Sequence, residues 1–419
     1  AQRTERAMLW ARTLPRLGLG NVASVTLHRL GLRSGWYEHR LPVIARPAVP
    51  LFSAEAEVLP APATASLQVV AEADALLRGE MTLFSHLQRQ VGAPPDWFMD
   101  PLPGQRVSAP ERHWSRIADF AEASDIKAVW EASRWDWALV FARAYRLTAD
   151  PRYLEALNTW SADWTACNPL NGGPNWKCGQ ETAIRLLTTL LAAKLLNQHG
   201  RPSPALCHFV ADHCTRIVPT RRYAEGQQNN HCLTEATGLY AGGAWLARVA
   251  TNDPPLRRRA LYWQRVGLRG LLRHVARLIA PDGSFAQHSV NYHRLVLAVL
   301  SQAELWRREL DLPPWPAVWR TRARAAVDWL YQLVDPLSGD APNLGANDGA
   351  SLFPLSSARY RDFRAAVQLA SVLLADGPAY PSGSWDEPLG WLGASADAAQ
   401  AGASSCRTRL YADGGYVTL

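Results

Sequence analysis

Two polar stretches carry the side chains best suited to move a proton. The first runs Gln227-Gln228-Asn229-Asn230-His231-Cys232 and then turns small and apolar through Leu233, Ala236, Gly238 and Leu239. That pattern puts amides and an imidazole at a helix entrance, where unpaired backbone N–H groups and the positive end of the helix dipole favour an anion. Asn230 is expected to cap the helix and His231 to project from its first turn, with Glu235 on the same face one turn later. The second stretch begins at the turn Pro281-Asp282-Gly283, passes through Gln287 and His288, and enters a helix at about Asn291. His288, Tyr292 and His293 are close in sequence, with Arg294 beside them. Positive neighbours favour a phenolate, so Tyr292 is expected to have a lowered pKa suited to general acid–base work. Each stretch is also compatible with a capped helix bearing an ordinary half-buried His or Tyr.

The elements that must position these groups are helices. From Ser124 onward the apolar residues follow the 3.6-residue period, and Ile126, Val129, Trp130, Trp137, Val140, Phe141 and Tyr145 read as one helix that ends before Pro151. Further helices are predicted over 153–164, 182–196, 204–217, 256–279, 292–310, 316–334 and 360–374, besides the one at Asn230. No alternating run suggests a sheet in this region, and no fixed-period repeat suggests an open solenoid. Paired helices with alternating short and long loops indicate a mainly α fold, a toroid of α/α hairpins. Upstream, residues 1–83 combine a basic segment (Arg3, Arg6, Arg12, Arg16), a Pro/Ala-rich connector over 42–62 and a first helix over 67–78. Four prolines and two glycines make 92–104 a long loop of the kind that serves a site. Residues 84–382 are expected to form the helical domain. Residues 383–419 are expected to be a linker and the start of a β-region, because the end alternates around Asp413-Gly414-Gly415 as a hairpin does. That hairpin either packs on the helical domain or begins a longer sheet in a protein that continues.

The formal charge of +7 makes an acidic partner plausible. Zinc-finger spacing, an RNP-like strand and long basic blocks are absent, and the densest basic run is Arg257-Arg258-Arg259, which argues against nucleic acid. The 18 tryptophans lean toward carbohydrate, because an indole face stacks on a sugar ring. Cys207-His208 and His213-Cys214 lie about two turns apart on a helix, too far for both sulfurs to share one zinc, so they read as helix-face residues. Cys167 and Cys178 flank a Pro/Gly/Asn-rich loop and can close it as a disulfide in an oxidising compartment. No apolar run is long enough to span a membrane and no signal peptide is visible at Ala1.

Taken together, Asn229-Asn230-His231 with Glu235, and Asp282-Gly283-Ser284-Phe285 with Gln287-His288-Ser289 and Asn291-Tyr292-His293-Arg294, resemble the heparinase II/III-like polysaccharide lyases. Upstream, Asp125-Ile126-Lys127, Trp130-Glu131, Arg134, Asn175-Trp176, Glu181 and Arg185 are similar to the helical half of that family. The tail Tyr411 to Tyr416 resembles the entry to its C-terminal β-sheet domain. The resemblance implies an incomplete (α/α) toroid whose cleft breaks an acidic, uronic-acid-containing glycan such as alginate or a glycosaminoglycan by β-elimination, with no metal or organic cofactor. Asn230 and His231, helped by Asn229, would neutralise the uronate carboxylate. Tyr292 would transfer the proton, with His231 the alternative base, and Glu235 would orient His231. His288, His293, Arg294, Arg134, Trp176, Glu181 and Arg185 would line the cleft, Arg185 taking a second carboxylate or sulfate. The family also draws a histidine from its β-sheet domain, for which these residues hold no counterpart. A periplasmic or secreted location fits better than a cytoplasmic one, and the oligomeric state stays open. Two other classes also stay open. One is an (α/α)-barrel glycoside hydrolase using Asp348 with Glu181 or Glu235. The other is a non-catalytic protein of glycan binding or exopolysaccharide assembly.

Overall fold

The computed structural model describes residues 17–118, 120–121, 124–394 and 408–418. The N-terminal arginines Arg3, Arg6, Arg12 and Arg16 therefore lie outside the described residues. Fifteen α-helices follow in the described chain: α1 (Leu19–Arg33), α2 (Trp36–Arg40), α3 (Gln68–Leu77), α4 (Ile126–Ser133), α5 (Asp136–Thr148), α6 (Pro151–Cys167), α7 (Gly179–Leu195), α8 (Pro204–Ile217), α9 (Arg221–Gln227), α10 (Asn230–Val249), α11 (Pro254–Leu278), α12 (Val290–Glu309), α13 (Ala317–Leu333), α14 (Arg364–Leu374) and α15 (Glu387–Leu392). Their starts are written in the sequence. Asp125, Asp150, Ser203, Asn229, Asp253 and Ser289 each accept a backbone N–H with their side chains, and proline follows directly in α6, α8 and α11.

An inner row α3, α5, α7, α10, α12 and α14 packs each helix on the next, while α6, α8, α11 and α13 form an outer row against it. This is an incomplete (α/α) toroid. The row stays open between α14 and α3. Contact is closest at α10 and α11, where glycine is required: a Cβ on Gly243 would fall 2.4 Å from the backbone N of Gln264, and one on Gly267 2.3 Å from that of Tyr240. The buried core is continuous through the helices, and tryptophans 135, 164, 245, 306 and 329 are fully buried within it. Most of the tryptophans that suggested sugar stacking thus serve packing. No helix among the described residues is long and apolar enough to cross a membrane.

Among the described residues, the strands form short antiparallel pairs. These are β1 (Glu80–Leu83) with β2 (Leu87–Gln90), β3 (Met99–Asp100) with β4 (Gln105–Arg106), β5 (Phe120–Ala121) with β6 (Ser124–Asp125), and β7 (Arg409–Tyr411) with β8 (Tyr416–Thr418). The expected terminal hairpin is present, and it packs on the helical domain. Asp282 accepts the backbone N–H groups of Asp413 (2.8 Å) and Gly414 (3.0 Å), and the Tyr416 ring meets the edge of Trp329.

Three expectations need correction. Residues 19–33 form α1, although none of them is buried and only their helical spacing marks them. The helix expected from Ile126 to Tyr145 is two helices, because Trp135 adopts a left-handed backbone (φ 69°) and ends α4 at Ser133. Cys207, His208, His213 and Cys214 are helix-face residues of α8, as expected. Cys167 and Cys178 are free thiols, so no disulfide closes the loop between them.

Candidate active site

The entrance of α10 is built differently from the expectation. Asn229, not Asn230, is the cap, and its Oδ1 accepts the His231 N–H at 3.0 Å. Asn230 is the first helical residue. Its backbone N–H donates to Gln287 Oε1 (2.8 Å) and its Nδ2 to Gln180 Oε1 (3.1 Å), which ties α10 to α7 and to the turn before α12. His231 Nδ1 lies 3.9 Å from Cys178 Sγ. Burial pushes the His231 imidazole down to about 4, so it is neutral at ordinary pH and able to accept a proton.

Glu235 does not orient His231. Its carboxylate lies against the start of α7, where a Cβ on Gly179 would meet Glu235 Oε1 at 2.4 Å, and Oε2 has no hydrogen-bond partner. Burial raises its pKa to about 8. The folded state therefore holds this proton more tightly than the unfolded chain, and the associated stability is complete below about 4.5 and lost as pH rises through 8. Above the range in which the buried histidines His213, His231, His274 and His293 titrate, between pH 7 and pH 8.5, the urea midpoint of the wild type is expected to fall, with this group contributing at most about 1.4 kcal/mol per pH unit. Glu235→Gln is expected to flatten that slope, and an unchanged slope would exclude Glu235 as its source.

Tyr292 stands in the first turn of α12, whose cap Ser289 accepts the Tyr292 N–H at 3.1 Å. Its phenol donates to Asp348 Oδ2 at 2.8 Å. Burial, then the Asp348 carboxylate, raises its pKa, the reverse of the lowering anticipated from nearby cations. Arg294 is not available to lower it: it is buried, donates to Tyr360 O (2.6 Å), Asn291 Oδ1 (2.8 Å) and Ala350 O (3.3 Å), and stacks on the Tyr360 and Phe363 rings. Tyr292 is thus a protonated phenol with a carboxylate at its oxygen.

The break at Trp135 leaves Arg134 at the end of α4, where it makes a two-point ion pair with Glu181 of α7, Nε to Oε2 at 2.7 Å and Nη2 to Oε1 at 2.9 Å. Arg134 also pairs with Glu131, whose Oε2 accepts the Phe84 N–H at 2.7 Å. The charges of Arg134 and Glu181 act on both His231 and Tyr292. Arg134 and Glu181 therefore form one ion pair whose charges reach His231 and Tyr292, while Asn230 is held on Gln180, the chain neighbour of Glu181.

Four other predicted residues have different surroundings. Arg185 is fully buried between the Trp164 and Trp176 rings and donates to His213 Nε2 (2.9 Å), Ser133 O (3.0 Å) and Asn175 O (3.1 Å), so it is not free for a substrate anion and does not pair with Glu181. Trp176 is buried with its indole N–H on Asn168 O, and offers no stacking face. His293 is a core histidine, stacked on Trp329 with Nε2 against Ala326 O at 2.8 Å. His288 is exposed, has a left-handed backbone (φ 50°), and lies 3.4 Å from the Tyr416 hydroxyl of the terminal hairpin. Sequence reasoning missed Gln180 altogether and weighed Asp348 only as a hydrolytic carboxylate. The Asn347-Asp348-Gly349 turn was the available signal for the second; nothing local marks the first.

The Heparinase II/III N-terminus family model matches residues 96–349. Among solved structures, the chain is similar to a heparinase III gene product with methylated lysines (16% identity, TM-score 0.45, covering 77% of this chain and 48% of that one). It is also similar to the heparan sulfate lyase HepC from Pedobacter heparinus (17%, 0.43, 66% and 40%) and to a further heparinase III (15%, 0.42, 78% and 47%). The chain spans about half the length of these structures or less. No curated protein sequence matches it. With a match over more than half its residues, among them every group of the Arg134 cluster, this chain belongs to the heparinase II/III family.

Proposed function

We propose that the protein is a polysaccharide lyase that cleaves an acidic, uronic-acid-containing glycan by β-elimination. The observation that carries this is the Tyr292 phenol held on Asp348 beside the Arg134–Glu181 pair, with a neutral His231 sharing the same field. Elimination needs an acid for the departing glycosidic oxygen, a base for the C5 proton, and donors for the charge that grows on the uronate carboxylate. Tyr292, protonated and hydrogen-bonded, is the acid. His231, unprotonated at working pH, is the base. The Asn230 side-chain amide, which keeps one N–H beyond the one given to Gln180, supplies a donor. In the step itself the C5–H bond breaks, its electron pair forms the C4=C5 bond, and the C4–O bond breaks as oxygen takes the phenol proton.

The hydrolase alternative finds less support. Glu181 is locked in its two-point pair with Arg134, and Glu235 is buried against α7 with its pKa raised. A panel of alginate, glucuronan, hyaluronan, chondroitin and heparan sulfate tests the proposal through the ultraviolet absorbance of the unsaturated uronate. A rise with one of them is expected. New reducing ends without absorbance would replace the lyase by a hydrolase, and neither signal would leave a glycan-binding protein.

A further inference from the structure

The positive charge of the chain is concentrated on one outer helix. Over Pro254–Leu278, α11 carries seven arginines and neither Asp nor Glu, a charge equal to the formal +7 of the whole chain. Basic and acidic residues are equal in number over the rest. Helical spacing brings Arg258, Arg265 and Arg269 within about 40° of one another around the axis. The buried residues Ala260, Gly267, Leu271 and Leu278 lie on the opposite side. Arg273 and Arg277 continue the row, which runs roughly 28 Å from Arg258. All five arginines are exposed. Among the described residues, Arg258, Arg265, Arg269 and Arg277 make no salt bridge, and Arg273 meets Glu225 only at 3.7 Å. On the neighbouring outer helix α13, Arg320 is exposed and Asp328, the one acid, is taken by Arg409. A row of like charges that the fold leaves unneutralised attracts an anionic partner.

The register of α11 against α10 shows where the row leads. The two helices run antiparallel, with Gly243 against Gln264, Gly267 against Tyr240 and Gly270 against Ala236. Two further turns bring Arg277 level with Asn229 and Asn230, at the helix entrance that bears His231. The row therefore follows the outer wall of the toroid and ends at the height of the acid–base groups. A bilayer is a poor partner, because Leu261 and Tyr262 are the large apolar side chains that α11 exposes (38% and 45%), too few to enter it. An extended polyanion is a good one. It meets one arginine after another along the helix, and the Tyr262 ring can stack on a sugar.

We propose that the outer face of α11 is a docking track, outside the cleft, that holds an extended acidic polysaccharide and leads it to the α10 entrance. That this polymer is also the substrate rests on the lyase function proposed above; its binding to α11 does not. The affinity of the full chain for alginate, hyaluronan, chondroitin sulfate and heparan sulfate polymers is read by biolayer interferometry at low ionic strength, beside neutral dextran, phosphatidylglycerol vesicles and duplex DNA. Wild type and Tyr292→Phe are expected to bind at least one acidic polymer and not dextran. The triple variant Arg258→Gln/Arg265→Gln/Arg269→Gln is expected to keep its urea midpoint and to bind that polymer about tenfold more weakly, a difference that added salt erases. Removing the same charge elsewhere, in Arg78→Gln/Arg152→Gln/Arg201→Gln, is expected to weaken binding by less than about twofold. On the responsive glycan, the α11 variant is expected to raise KM for the polymer and to leave kcat on a short oligosaccharide unchanged. Absence of binding to every acidic polymer, or an α11 variant that binds no more weakly than the other triple variant, overturns the track. Tighter binding to the vesicles or to DNA than to every glycan overturns the choice of partner. Flat absorbance on all polymers, together with binding that the α11 variant weakens, would sink the lyase and leave the track standing.

Discussion

Replacing Tyr292 with phenylalanine is expected to lower kcat on the responsive glycan by on the order of 10²–10⁴, the usual worth of a positioned acid–base group. The substitution removes one oxygen. That oxygen donates to Asp348 and, in the proposed reaction, to the departing sugar oxygen. The aromatic ring keeps its place against the core. Stability is expected to change by no more than about 1 kcal/mol, because the lost hydrogen bond is not deeply buried and Asp348 regains water. KM is expected to change little. Steady-state kinetics with urea denaturation separate these effects, and a Tyr292→Phe enzyme with full kcat would remove Tyr292 from the chemistry.

Arg185→Ala is expected to do the opposite. Burial lowers this guanidinium to about 9, and it is held by three acceptors and two indole rings rather than by a facing carboxylate. Truncation leaves His213 Nε2 and the carbonyls of Ser133 and Asn175 buried and unpaired and opens a void between Trp164 and Trp176. The expected loss is about 3–5 kcal/mol, read from chemical denaturation. Activity per folded molecule is expected to be nearly unchanged. A stable variant with a raised KM would instead return Arg185 to the cleft as a substrate anchor.

These two residues show what was legible in the sequence. The helical period, the caps and the Pro-at-first-turn signals marked most helices to within a few residues, because those signals are local. Exposed α1 escaped notice, since a helix that buries no side chain has no core-facing stripe to read. The bend at Trp135 escaped too: nothing in Ser133-Arg134-Trp135 announces a left-handed backbone, yet it places Arg134 on Glu181. Tyr292, His231 and Asn230 were visible as polar groups at helix entrances. Their partners were not, because Asp348, Gln180 and Gln287 arrive from distant parts of the chain. Arg185 was misassigned for the same reason. In sequence it is four residues from Glu181, an ordinary helix pair. In space Glu181 is taken by Arg134, and the two side chains have different partners.

The pKa expectation for Tyr292 failed on magnitude rather than chemistry. A cation near a phenol does favour the phenolate, but burial and a carboxylate at the oxygen outweigh Arg134 here. In the proposed elimination, that reversal casts Tyr292 as the acid and His231, which burial keeps neutral, as the base.

The most direct test of elimination is the fate of water. A defined uronate oligosaccharide from the responsive glycan, digested in heavy-oxygen water and weighed by mass spectrometry, is expected to give an unsaturated product and a new reducing end whose bridging oxygen comes from the substrate. No label should be incorporated in the cleavage step once exchange at the anomeric carbon is corrected for. One heavy oxygen per cleavage, in products without the double bond, would contradict the account and identify hydrolysis.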